Sequence, residues 1–509
     1  NAKLSELLQA IDLGSSIAEQ DNLLESARVE TSTFSDLFND RVDLVPGTKG
    51  SGKSALYRIF VEFLPNHLLK QNKAVVAHGV DRVGDTVFHI FKKEFEELDE
   101  NDFVNFWCIY IVSLVHEQFI KNPQYADFLK GCKAEIEKFK QTSALAGIPE
   151  IKAKKSLREM LAWVLNSLKA ISPRLKYKPP GDSGEFEISL FGETKKDANK
   201  NETADEPKLP KYIDQLREDL VAILEKCGLS IWFMIDKLDE IFPRRSPVER
   251  LALRALLRTM RIFSSPRIRI KIFLRDDMLG EIAGGDEGFT ALSHVYSTRK
   301  ADTLRWSEEQ IISMIAKRLF ANTQVAINLK VDPEQLNASL EYRKEALYKV
   351  FPKKVFTGAK QSDTLRWIYH HTADANEVVT PRDVIILLTR AIQHQINIAH
   401  SDPSGTQSFL ISSQAIIYGL EELSKEKKDV YLRAEFPHLW SNIEKFIGGK
   451  AIYSKSSLQA LLGKNWESVA TDLMSIGLLK KSAGTRENTY TIPFLYRDGL
   501  EITQGRAID

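Results

Sequence analysis

Eight consecutive residues, Gly47-Thr48-Lys49-Gly50-Ser51-Gly52-Lys53-Ser54, carry the types and spacing that wrap a polyphosphate, G-x-x-x-x-G-K-S. The glycines let the backbone approach closely, so that its N–H groups cradle the phosphate oxygens. Lys53 would reach the β- and γ-phosphates, and the Ser54 hydroxyl would take a place on Mg²⁺. The flanks suit this role. Arg41-Val42-Asp43-Leu44-Val45 reads as a short buried strand, and Ala55 to Val61 continues with apolar residues at helical spacing. A strand, a glycine turn and a helix N-terminus together make an anion site.

A second constellation supplies acids. Leu229 to Ile235 is an apolar run of strand length that ends in Asp236-Lys237-Leu238-Asp239-Glu240. A buried parallel strand that delivers an acid at its C-terminal edge can hold magnesium, and Asp236 fits that place. Either Asp239 or Glu240 could orient or deprotonate an attacking water. The same segment looks like the N-K-x-D element that reads guanine, with Asp in place of Asn. The D-x-x-G element that should precede it is matched by Asp277-Met278-Leu279-Gly280, which follows it instead. ATP is therefore expected rather than GTP.

Three groups of arginines stand near these elements. Ile268 to Leu274 reads as a sheet strand ending in Arg275-Asp276-Asp277, and Arg275 is either a γ-phosphate sensor or the partner of one of those aspartates. Thr380-Pro381-Arg382-Asp383 opens a helix, with Thr380 as cap, Pro381 in the first position and Asp383 favoured by the dipole. Arg382 would project from that first turn, to touch phosphates or to bond a neighbouring carboxylate. Arg250, Arg254, Arg258 and Arg261 share one face of a helix, available to nucleic acid, to a neighbouring subunit's nucleotide, or to solvent alone.

Composition bounds the remaining possibilities. The 509 residues are 43% hydrophobic, enough for several domains with ample cores. A formal net charge of +1 exerts no global pull on nucleic acid or an anionic membrane. Cys108, Cys132 and Cys227 lack metal spacing and read as reduced thiols of a cytoplasmic protein. No membrane span and no signal peptide are expected.

The elements that must position these residues suggest an α/β fold. A P-loop NTPase parallel sheet flanked by helices is expected over 41–305, after an N-terminal helical lead at 1–40. A helical insertion occupies about 85–228, with an exposed hairpin and a mobile loop at 176–208. Its aromatics Phe88, Phe91, Phe95, Phe103, Phe106, Trp107 and Tyr110 read as packed core. Gly284-Gly285-Asp286-Glu287-Gly288 reads as a hinge or mobile arm. A helical lid is expected at 306–400, and a winged-helix-like domain at 401–509. The latter rests on helices at 456–462 and 466–476, then strands around Leu478 and Tyr490. Acids at Glu467 and Asp472 on its second helix make protein contact at least as good a reading as DNA.

Together these residues resemble the STAND-type and KAP-like branch of bacterial P-loop ATPases, relatives of the AAA+ and initiator ATPases. The shared elements are Gly47 to Ser54, Asp236-x-x-Asp239, Arg275, Thr380-Pro381-Arg382-Asp383 and the terminal winged helix. More narrowly, the segments 235–240 and 273–277 look like a bacterial group found with mobile-element and anti-phage defence genes. KAP members usually carry membrane spans, which are not expected here. The resemblance implies an ATP- and Mg²⁺-dependent switch or assembly factor, acting as a homo-oligomer or on a separate effector protein. A DNA-binding ATPase is the alternative. No nuclease, protease or deaminase constellation appears in the sequence.

Overall fold

The computed structural model describes residues 2–78, 95–148, 164–165, 168, 208–238, 246–283, 299–358, 360–401, 409–483 and 488–507. Asp239, Glu240, Phe88, Phe91, all but the last residue of the expected hairpin and loop at 176–208, and the glycine-rich loop at 284–288 lie outside the described residues. The chain forms two compact units, neither continuous in sequence: one joins 1–35, 47–59 and 303–509, the other joins 36–46 and 60–302.

The second of these units holds a sheet of β1 (Leu44–Gly47), β2 (Ala74–His78), β3 (Ser230–Ile235) and β4 (Ile268–Arg275), in the order β1-β4-β3-β2. β2 pairs in parallel with β3, Val76 opposite Trp232, and β3 in parallel with β4, Phe233 opposite Ile270. The strands are apolar on both faces because helices cover the sheet, as α/β architecture requires. Leu44, Val75, Ile231, Phe233 and Ile272 join one core with the helices.

The Glu100–Leu114 helix begins with a capping box at Asp99 and is buried along most of its length. Phe95, Phe103, Phe106, Trp107 and Tyr110 pack as core, and the Trp107 indole donates to the carbonyl of Ala252 at 2.8 Å. Glu100–Ile120 is long and apolar enough, by length and composition, to cross a membrane, although 83% of that window is buried inside the fold. Its apolar character serves packing against the Pro247–Ile262 helix.

Beneath β1 lies an ionic cluster. Lys271 on β4 is fully buried and donates to Asp40 at 2.7 Å, to Asp43 at 3.1 Å and to the Val42 carbonyl at 2.8 Å. Arg269 and Arg299 also bond Asp40, at 3.0 and 2.8 Å. Burial disfavours the charged ammonium and pulls the Lys271 pKa down against the pull of Asp43 and Asp40. The backbone pairs here too, with the N–H of Ile272 donating to the Asp43 carbonyl at 2.7 Å. The cluster fixes the strand that runs into the glycine loop.

The other unit is mostly helical up to residue 443. Its largest helix pair is Pro381–Ser401 against Ser413–Glu426. The C-terminal part contains β5 (Lys450–Tyr453), helices Lys455–Leu462 and Trp466–Ser475, then β6 (Lys480–Ser482), β7 (Thr489–Thr491) and β8 (Thr503–Arg506). These strands form a sheet in the order β6-β7-β5-β8, with β6 and β7 antiparallel. Leu458, Leu473, Tyr490 and Ile492 bury the helices against the sheet.

Candidate functional site

The glycine loop leaves β1 and turns into the helix Lys53–Arg58, which is continued by a π-helical stretch Ile59–Phe63. Gly52 caps that helix at φ 97°, a left-handed conformation that favours glycine. Lys53 sits at the first helical position, and Ser54 follows it, half-buried. The Lys53 ammonium donates to the carbonyls of Gly47 and Thr48, both at 2.8 Å, and so lies over its own loop. The side-chain hydroxyl oxygens of Thr48 and Ser51 are buried and have no hydrogen-bond partner among the described residues. Buried polar atoms of this kind cost free energy unless a ligand or water satisfies them.

Three parts of the same unit surround the loop. The Trp306 indole N–H donates to the carbonyl of Ser51 at 2.8 Å, and Tyr369 holds the Trp306 carbonyl at 3.1 Å. Thr380 and Arg382 pack against Gly50: a Cβ there would stand 3.2 Å from Thr380 Oγ1 and 3.3 Å from Arg382 Cβ. Thr380 Oγ1 also caps its helix, accepting from the Asp383 N–H at 3.2 Å. The Arg382 guanidinium donates to the carbonyl of Ser16 at 3.3 Å. Two sequence motifs separated by more than three hundred residues thus meet.

Beside Gly52 opens a cavity of about 70 Å³. Its walls come from the N-terminal segment (Leu24, Ala27, Val29), the loop helix (Ala55, Leu56, Ile59) and the later helices (Trp306, Met314, Pro381). Arg28, Thr31 and Arg318 are the polar side chains of its lining, and no carboxylate is among the lining residues. The N-terminal segment is held by its backbone: Arg318 donates to the Leu13 carbonyl at 2.6 Å, Lys317 to that of Arg28 at 2.7 Å, and Arg58 to that of Ala18. Sequence reading missed this cavity, since its walls are contributed by segments hundreds of residues apart.

In the sheet-bearing unit, Asp236 directly follows β3, and the backbone bends at Lys237, φ 59°. Arg275 ends the neighbouring strand β4. Asp236 and Arg275 therefore leave the same end of adjacent parallel strands. Arg275 is 5% exposed and makes a two-pronged bond to Asp277, Nε and Nη2 each at 3.0 Å from a carboxylate oxygen. Of the arginine face, Arg258 and Arg254 both pair with Glu100, at 2.9 and 3.4 Å, while Arg250 and Arg261 are exposed. Among the described residues no cluster of three or more His, Cys, Asp or Glu could hold a metal ion.

No known family's sequence profile matches this chain, and no curated protein matches it. Two solved structures align with this chain over most of its length at low similarity. The Walker-type ATPase PABY2304 of Pyrococcus abyssi is 11% identical, over 96% of this chain and 98% of that one, with a TM-score of 0.39. The Aeropyrum pernix ORC2 protein, solved in ADPNP and ADP complexes, is 12% identical over 92% of this chain and 91% of that one, also with a TM-score of 0.39.

Proposed function

We propose that this chain is an ATP-driven switch, which binds and hydrolyses Mg-ATP and couples its nucleotide state to self-association or to control of a separate effector protein. One observation carries the reading. The glycine loop, an apolar cavity at its side and the Thr380-Pro381-Arg382 helix start come together within a single compact unit. The hydroxyls of Thr48 and Ser51 in that loop, buried and unpartnered among the described residues, suit a phosphate ligand.

In this reading the backbone N–H groups of 47–54 and Lys53 hold the phosphates, while the hydroxyls of Thr48 and Ser51 gain partners. ATP is favoured over GTP because Asp277-Met278-Leu279-Gly280 follows the Asp236-Lys237-Leu238-Asp239 element instead of preceding it. Ser54 and Asp236 are hard oxygen donors of the kind Mg²⁺ selects, and they would hold the ion. When bound, the ion neutralises phosphate charge. Asp239 or Glu240 would position or deprotonate water, Arg275 would answer the γ-phosphate, and Arg382 would distinguish ATP from ADP. A helical lid closing with ATP and opening after hydrolysis would set the state of the winged-helix-like C-terminal part. A role in anti-phage defence follows from the family resemblance and belongs to the same proposal.

A DNA-binding ATPase is the second reading, favoured by the exposed Arg250 and Arg261. Against it, Arg254 and Arg258 are engaged by Glu100, and the Trp466–Ser475 helix exposes Glu467 and Asp472. ATP turnover of the full chain, with and without duplex DNA, separates the two. Turnover lost in Lys53→Ala and indifferent to DNA supports the switch; stimulation several-fold by DNA supports the second reading.

A further inference from the structure

The two lysines of the glycine loop are held differently. Lys53 turns onto carbonyls of its own loop, whereas Lys49 pairs with the carboxylate of Glu435, 386 positions later in the chain. Both side chains are mostly buried, 30% and 15% exposed. Glu435 closely follows a π-helical turn, Lys427–Arg433, and precedes the helix Pro437–Ile443. Turns of this type are rare and cluster at functional places.

The same segment makes two further contacts. Lys427 donates to Asp383 at 3.1 Å, in a pair whose side chains are 13% and 4% exposed, and Asp383 is the residue after Arg382. The Lys427 ammonium lies 4.3 Å from the ring centre of Tyr431, and the Tyr431 hydroxyl donates to the Ile476 carbonyl at 3.3 Å. Ile476 closes the second helix of the C-terminal sheet module. Residues 427–435 therefore touch the glycine loop, the start of the Arg382 helix and the C-terminal module.

We propose that Glu435 is an internal anion bound to the loop, which nucleotide phosphates displace, and that segment 427–435 carries this displacement into the C-terminal module. The proposal rests on reading the loop as a nucleotide site. Its physical basis is charge. A carboxylate beside incoming phosphates repels them, and a mostly buried carboxylate that loses its lysine must move toward water or another cation. Reciprocity follows: whatever holds 427–435 in place weakens nucleotide binding by the same factor that nucleotide loosens the segment.

The test measures equilibrium binding of Mg-ATPγS to the full chain, with hydrogen exchange over 427–435 and 466–482. Wild type, Glu435→Gln, Lys49→Gln and Lys53→Ala are compared. The proposal expects Glu435→Gln to bind ATPγS about fivefold or more tightly than wild type. It also expects exchange at 427–435 to rise in wild type on adding ATPγS, and to be raised beforehand in both Glu435→Gln and Lys49→Gln. Lys49→Gln keeps Glu435 itself, so it carries the exchange test even where Glu435→Gln folds poorly. Unchanged or weaker binding by a folded Glu435→Gln overturns the proposal, as does unchanged exchange at 427–435 in ATPγS-bound wild type. Absence of binding by wild type, Glu435→Gln and Lys53→Ala alike would instead overturn the nucleotide reading itself.

Discussion

Gly50 of the glycine loop faces Thr380 so closely that an added Cβ would stand 3.2 Å from the threonine Oγ1. The glycine also lies at φ 84°, where any other residue is strained. Loop and helix start are therefore fitted to one another. Gly50→Ala should lose about 1–2 kcal/mol of stability from backbone strain alone, with further loss from the crowded contact. Urea unfolding checks this, and a variant as stable as wild type would show that the contact yields freely.

Trp306 offers an optical report on the same loop. Its indole donates to the Ser51 carbonyl and lies 3.8 Å from where a Gly52 Cβ would be. Adding Mg-ATP should change tryptophan emission, and Trp306→Phe should remove most of that change. An equal response in Trp306→Phe would place the sensing tryptophan elsewhere among the seven.

The N-terminal wall of the cavity depends on a buried ion pair. Arg318 holds Asp21 through two bonds, 2.6 and 3.1 Å, with side chains 8% and 2% exposed. Removing one partner strands the other charge, so Arg318→Met should cost about 3–5 kcal/mol. The double variant Asp21→Asn, Arg318→Met should recover part of that loss. Equal stability of the single and double variants in denaturant titration would show that the pair is not coupled.

His371 predicts an acid-sensitive stability. It is stacked between Trp367 at 3.9 Å and Phe494 at 4.2 Å, with Nδ1 donating to the Trp367 carbonyl at 2.9 Å. Burial, aided by the positive charges of Arg497 and His370, pushes its pKa down to about 4 despite that carbonyl. The folded state thus binds its proton less readily than the unfolded state. The stabilisation is complete above about pH 6.5 and is lost as pH falls toward the folded value. Tm should therefore fall across this interval, and His371→Phe should flatten the fall. An unchanged acid limb in that variant would assign the effect to other groups.

Local chemistry was legible in the sequence because it is written at short spacing. The glycine loop, the Thr380 cap and Pro381 at the helix start are all found as read. So are the helix pair and antiparallel strands near the C-terminus, and the aromatic core at Phe103, Phe106 and Trp107. What spacing does not encode is meeting across distance. Nothing near Lys49 announces Glu435, and nothing near Arg254 announces Glu100. The cavity gathers Leu24, Leu56 and Met314, each an ordinary apolar position in its own segment. Glu100–Ile120 shows the converse: a core helix and a membrane span can share one composition, and burial distinguishes them here.

Calorimetric titration of Mg-ATP into the full chain decides whether the glycine loop binds ATP. Losing the charge-assisted bonds of Lys53 is worth about 1.5–3 kcal/mol, so Lys53→Ala should bind at least tenfold more weakly than wild type. GTP should bind wild type more weakly than ATP, since the D-x-x-G match Asp277 to Gly280 follows Asp236-Lys237-Leu238-Asp239 instead of preceding it. Saturable binding of ATP by wild type, with those two losses, is the predicted result. No binding by wild type, or equal affinity in Lys53→Ala, would contradict the account.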